Sequence, residues 1–252
     1  MDYESSLNLS NDIRISHEIN EATFNLSAMS LDLLCMILAQ IKKEDNEFKF
    51  YKLGVSTIEK RINRKLNRDS FKKSIQELES ATLDILGESI KWFEILNFES
   101  SNGILEIKLN EQLKPYLLNL ESRFVLAQLD SILNLNGYYS KRFYLLLAQY
   151  KKMQKCKYDL IKLHKILSTP NSLQKLYSNF KSRVLDFSMG EINQNTELKV
   201  EYEENKIGKS VNSLDFRIRK IDKPKIELVV NAVNEVKHNK GISAVEDWLK
   251  NN

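Results

Sequence analysis

With 252 residues the chain has room for one large core or two small ones, and its 42% hydrophobic content contains no apolar run long enough to span a membrane. Cys35 and Cys156 stand alone in apolar or lysine-rich surroundings, which suits reduced thiols and suits neither a disulfide framework nor a metal knuckle. The net charge is only +4, but Lys60, Arg61, Arg64, Lys65, Arg68, Lys72 and Lys73 crowd one stretch against the single acid Asp69, a pattern that favours a polyanionic partner.

In chain order, residues 1–12 are polar and predicted to be disordered. They lack the basic-then-apolar pattern of a signal peptide, so a cytoplasmic location is expected. Ile13 and Ile15 predict a short strand. Leu31, Leu34, Ile37, Leu38 and Ile41 predict an amphipathic core helix, with Ser30 and Asp32 near its start. Phe48, Phe50 and Leu53 suggest a strand. Ser56 with Glu59 has capping-box spacing for a short helix through Ile62, and Asn63 to Asn67 reads as a turn. A helix from Asp69 to Leu83 then stands where the second helix of a helix-turn-helix would, with Lys72 and Lys73 on its outer side. Ile90, Trp92, Phe93, Ile95 and Phe98 make an apolar run expected to present surface to a partner. Ser100 to Gly103 turns the chain, and Leu105, Ile107 and Leu109 alternate as the returning strand.

The segment from Leu113 to Gly137 is too apolar for a flexible linker and reads as a packed connector. Ser140 opens a second series: a helix through Phe143, Leu146, Leu147 and Tyr150, then one over Tyr158 to Leu167 with Asp159 as its cap and Pro170 beyond its end. Phe180, Val184, Phe187 and Ile192 form an apolar stripe at helical spacing. The other face carries Asn179, Lys181, Ser182 and Arg183 near the positive end of the helix dipole. A hairpin follows, through Leu198, Val200 and Tyr202, a turn at Gly208, then Leu214, Phe216 and Ile218. Moving the stripe back by 109 positions lands on Phe71, Ile75, Leu78 and Leu83, so both halves read as helices followed by a hairpin, the winged-helix pattern. Leu228, Val229, Ala232, Val233 and Val236, then Ser243 through Trp248, suggest a helical tail.

The chemistry of an enzyme is missing. His17, His164 and His238 lack the close second histidine of a metal or nuclease motif, Gly208-Lys209 has no preceding P-loop glycine, and no Asp-x-Asp pair is present. Catalytic residues, cofactors and metals are therefore not expected.

From Tyr139 to Tyr150 the residues, with Arg142, Tyr144 and Leu146 to Gln149, resemble the S-x-R-x-Y-x-L-L-x-Q-Y signature of plasmid replication initiators of the RepB type. The similarity continues through Phe180, Arg183, Asp186, Glu191, Ile192, Asn193, Tyr202, Gly208 and Phe216. In the first half, Pro115, Tyr116, Leu117 and Leu120 resemble the family's P-Y-L-x-x-L connector. The resemblance covers roughly residues 10–220. It implies an α+β, mostly helical protein of two tandem winged helices that binds repeated origin sequences in double-stranded DNA and recruits host replication proteins. It also implies dimerisation through the first domain and binding to the chain's own promoter. Carried over, Asn179, Lys181, Ser182 and Arg183 face the bases, and Lys206 and Lys209 sit on a wing over the backbone. Arg64, Lys65, Arg68, Lys72 and Lys73 supply accessory contacts. Gly190 and Lys209 depart from the family, which more often has a larger residue and an arginine there. The expected domains are 13–125, 126–221 and a tail, 222–252. The alternative is a winged-helix transcriptional regulator without an initiator role.

Overall fold

In the computed structural model, which describes residues 12–221, β1 (Asp12–Ser16) contains Ile13 and Ile15 as their alternation predicts, and it begins at a residue expected to be disordered. Ser16 caps α1 (His17–Asn20) by accepting from the Ile19 amide, and Ser27 caps α2 (Ala28–Leu38) by accepting from Ser30. The one-sided burial predicted for α2 gives way to burial all round from Ser30 to Leu38, because helices of both halves pack on it. β2 (Tyr51–Gly54) leads into α3 (Val55–Ile62). The cap position here is Gly54, not Ser56, and Glu59 makes no capping box; it accepts instead from Lys65 and from the Leu66 amide.

Asn63 ends α3 in the left-handed conformation (φ 51°), and Asn67 caps α4 (Arg68–Ser80). That helix stops at Ser80, short of Leu83, which enters β3 (Thr82–Ile85). β3 folds onto β4 (Glu88–Lys91) through Leu86 (φ 53°) and Gly87 (φ 91°). A two-residue hairpin turn favours left-handed backbone at both central positions; glycine supplies it at little cost, whereas Leu86 gave no turn signal. The first wing is β5 (Phe93–Glu99) with β6 (Ile104–Leu109), and β6 lies between β5 and β2. Trp92 and Phe93 are buried, so they do not present the apolar surface expected of them. The exposed large apolar side chains of the described first half are Phe50, Leu86 and Ile95.

The connector is packed, as its composition predicts. A 3₁₀ turn (Glu111–Leu113) and α5 (Lys114–Leu117) precede β7 (Phe124–Gln128) and α6 (Leu129–Leu133). β7 runs antiparallel to β1, from Asp12 opposite Gln128 to Ser16 opposite Phe124, and the position expected for the domain boundary falls inside it. The second half then follows as α7 (Tyr138–Ala148), β8 (Lys155–Asp159), α8 (Leu160–Ile166) and α9 (Asn171–Gln174). Tyr158, expected in a helix, is a strand residue opposite Leu214, with its ring buried in the sheet; α8 begins only at Leu160. Asp159 holds the cap position but its side chain makes no capping bond.

A long helix over 177–195 combines α10 (Tyr177–Phe180), a π turn (Lys181–Leu185) and α11 (Asp186–Asn195). β9 (Leu198–Ile207) and β10 (Ser210–Lys220) make the second wing. Its sheet order, β8-β10-β9, repeats the order β2-β6-β5 of the first. Each half is thus helix, strand, helix, helix and hairpin: two winged helices in an α+β fold, with 42% helix and 30% strand among the described residues. The expected disordered N-terminus, up to residue 11, and the expected helical tail lie outside the described residues. Among the described residues no helix is long and apolar enough to cross a membrane.

The π turn corrects the predicted stripe. One wider turn delays the helical phase by about one residue, so Leu185 and Met189 join Phe180, Val184 and Ile192 inside, and Phe187 is turned outward, 54% exposed.

The halves meet through buried charge. Lys141 of α7 forms a 2.6 Å ion pair with Asp32 of α2 and donates to the Ile132 and Leu135 carbonyls. Its neighbour Arg142 is fully buried without a carboxylate. One guanidinium nitrogen donates to the carbonyls of Asn20 (3.2 Å), Ala22 (3.0 Å) and Ile166 (3.3 Å), and the group lies 4.0 Å over the Phe24 ring. Burial of such charges is tolerated only when hydrogen bonds replace the lost water. Burial also raises the Asp32 carboxyl to about 6 against the pull of Lys141, and it lowers the pKa of Arg142. Around this joint Asn20 donates to Leu145 and Gln149, while Tyr138 and Ser168 donate to Phe24.

Candidate nucleic-acid interface

On the first half, Asn67 fixes the start of α4 by accepting from the amides of Asp69 (3.1 Å) and Ser70 (3.0 Å). This cap sets the direction in which the following cations project. Arg68, Lys72 and Lys73 are exposed and make no ion pair among the described residues, while Phe71, Ser74, Ile75 and Leu78 face inward. Arg64 is exposed beside the Met29 sulfur at 3.8 Å. Lys65 is held at 2.8 Å by Glu59, whose carboxyl lies below its usual range because of that bond and the Leu66 amide. All five predicted cations are therefore exposed, and Lys65 has an internal partner.

On the second half, the helix over 177–195 carries Ser182 and Arg183 on its exposed side and Asn179 half-buried. The Ser182 hydroxyl bonds back to the Ser178 carbonyl at 2.9 Å. Lys181, predicted to face bases, pairs with Glu204 of β9 at 2.6 Å, and Tyr177 donates to the same carboxylate at 3.0 Å. The bond to Glu204 raises the Lys181 pKa, and Lys181 in turn holds the Glu204 carboxyl down. Tyr202, also on β9, donates to Asp186. The wing is thereby fastened to the helix by Lys181 and Tyr202. Arg183 differs: among the described residues it makes no ion pair, and Asp186, three residues on, is engaged by Tyr202. An unpartnered guanidinium is able to donate two parallel bonds to guanine or to phosphate oxygens.

The second wing turns at Gly208 (φ 62°), where Lys206, Ile207 and Lys209 are all exposed. Below the tip, Arg217 pairs with Glu203 (2.8 Å) and Arg219 with Glu201 (2.7 Å), so these cations are neutralised within the sheet. A shift in register between Val211 and Ser213 interrupts the regular pairing of the strand close to the tip. Sequence reasoning missed Phe187 on the exposed side. The signal was the adjacent pair Val184 and Leu185, where two apolar phases of the helix overlap.

The surroundings offer little to covalent or metal chemistry. Burial pushes the Cys35 and Cys156 thiols up to about 12, away from reactive thiolate. Among the described residues no group of His, Cys, Asp and Glu is placed to hold a metal ion.

Residues 12–148 match the family model described as "Initiator Replication protein, WH1", and residues 159–218 match "Initiator Rep protein, WH2". An "Uncharacterized 27.6 kDa protein" of Escherichia coli is 24% identical over 224 residues, covering 80% of this chain and 93% of that protein. The fold is similar to that in a crystal structure of Pi initiator protein in complex with iteron DNA. The TM-score is 0.73 and the identity 18%, with 86% of this chain and all of that one covered.

Proposed function

The chain belongs to the family of initiator replication proteins, with a WH1 and a WH2 domain, and from that premise we propose that it starts plasmid replication by sequence-specific binding to repeated duplex DNA at the origin. An initiator family is not a family of enzymes, in agreement with the missing catalytic motifs. The observation that carries the DNA reading is Arg183: an exposed guanidinium that makes no ion pair among the described residues, on the outer side of the helix over 177–195 that leads into the lysine-tipped wing. Arg68, Lys72, Lys73, Lys206 and Lys209 then neutralise phosphates, while Arg183, Ser182 and Asn179 meet base edges. Recruitment of host replication proteins, dimerisation through the WH1 domain and action in the cytoplasm complete the proposal. Exposed Phe50 and Ile95 support the dimer reading by leaving apolar surface on that domain. Titrating the full chain against origin repeats and against random duplex, at several salt concentrations, tests the proposal. The repeats should bind at least a thousandfold more tightly, at the order of ~10³ found for specific sites; equal affinities would overturn it.

A further inference from the structure

From the outward position of Phe187 we infer a specificity contact of apolar kind, resting on the DNA reading above: its ring meets the C5-methyl group of a thymine in the major groove. Periodicity places Phe187 in the core, yet the π turn at Lys181–Leu185 brings it out, 54% exposed. It follows Arg183 by four residues on the same side of the helix, a spacing that puts side chains about 5–6 Å apart. Covering the exposed part of an aromatic ring with an apolar group removes it from water at about 25 cal/mol per Å².

The ring is also held in place. A Cβ at Gly137 would lie 3.1 Å from the Phe187 ring, so the absence of a side chain there is what lets the ring rest against the 136–137 loop. Glu191, one turn further along the same helix, fixes that loop by accepting from the Asn136 amide at 3.0 Å and the Gly137 amide at 3.0 Å. Burial works against the charge of Glu191, but these bonds keep its carboxyl below the usual range. On the other side, Gly190 leaves open space: nothing stands within 4 Å of where its Cβ would be. The helix surface beside the ring is therefore low, and a flat partner is able to approach it. Thymine's methyl is the apolar group that the major-groove base edges present, whereas Phe187 has no donor or acceptor with which to read the rest.

The experiment uses the full chain and a duplex selected by it from a random pool, with each thymine replaced in turn by deoxyuridine, which lacks only the methyl group. One replacement, within about two base pairs of the base sensitive to Arg183→Ala, should weaken wild-type binding about fourfold, the size of one buried methyl group. Phe187→Ala should bind the thymine and deoxyuridine duplexes alike. Phe187→Gln, which keeps a long side chain without the apolar ring, should do the same and serves if the alanine variant fails to fold. A wild type indifferent to every methyl, or folded variants that respond as the wild type does, would overturn the inference. If no sequence emerges from selection, the DNA reading itself fails; if one emerges and depends on Arg183 without any methyl effect, only the role of Phe187 falls.

Discussion

The two winged helices share one strand order but distribute charge in opposite ways. In the first, the cations stand on α4, and the wing is closed by pairs such as Lys108 with Glu94 and Lys52 with Glu106, around a turn of two serines, an asparagine and a glycine. In the second, the wing tip carries Lys206 and Lys209, while the helix keeps a single unpartnered cation, Arg183, because Lys181 is bound to Glu204. Charge without fixed geometry suffices for phosphates, but discrimination between bases needs a side chain held in register. On the proposed DNA reading, the difference separates a half that grips from a half that reads.

Breaking the comparison at its base should have the largest effect. Asp32→Ala leaves Lys141 buried without its counter-charge and should cost about 3–5 kcal/mol at pH 7, the range for one partner lost from a buried pair. Because the pair joins α2 to α7, urea denaturation should show both halves weakened in one transition; two separate transitions would show that the halves stand independently. Next, Arg183→Ala should lower affinity for the specific repeat by about 1–3 kcal/mol while changing random-duplex affinity far less. A folded variant with an unchanged ratio removes Arg183 from the reading surface.

Smaller losses should follow from Lys72→Ala and Lys73→Ala on the gripping half. Each should weaken specific and random binding alike and reduce the slope of log affinity against log salt by about 0.9, the signature of one phosphate contact. A change in sequence preference from either variant would erase the distinction between the halves. The smallest effect concerns pH. The Asp32 carboxyl sits at about 6 in the folded chain, above its ordinary 3.8, so the folded state takes up the proton first. Its contribution to stability is complete below the ordinary value and is lost as pH rises through about 6. Lowering pH from 7 to 6 should thus stabilise the wild type by a few tenths of a kcal/mol relative to Asp32→Asn, which cannot titrate. Denaturation curves of both proteins at the two pH values check this.

Much of the fold was legible because it rests on local pattern. The alternation in both wings, the asparagine turn before α4 and the outward Lys72 and Lys73 all follow from period and turn chemistry. What stayed hidden depends on contacts distant in sequence. β8 buries Tyr158 only once Leu214 lies opposite it, and α2 is covered on every side only because α6 and α7 arrive from the second half. Lys141 and Arg142 carry no local sign of burial: besides the nearby Ile132 and Leu135 carbonyls, their partners lie more than a hundred residues away at Asp32, Asn20 and Ala22 or, for Ile166, in a different helix. Phe187 was misplaced because an α-helical period cannot foresee a π turn.

The three carbonyls gathered by Arg142 come from both sides of the buried joint and tie the two winged helices into one core. Where two DNA-facing helices are anchored to one core, the separation between their footprints is fixed by the protein, and the duplex must supply that separation or bend to meet it. Inserting half a helical turn, about five base pairs, between the two footprints would carry one of them to the far side of the duplex. On the proposed DNA reading, repeat length at the origin should therefore match the spacing that this shared core sets between the two winged helices.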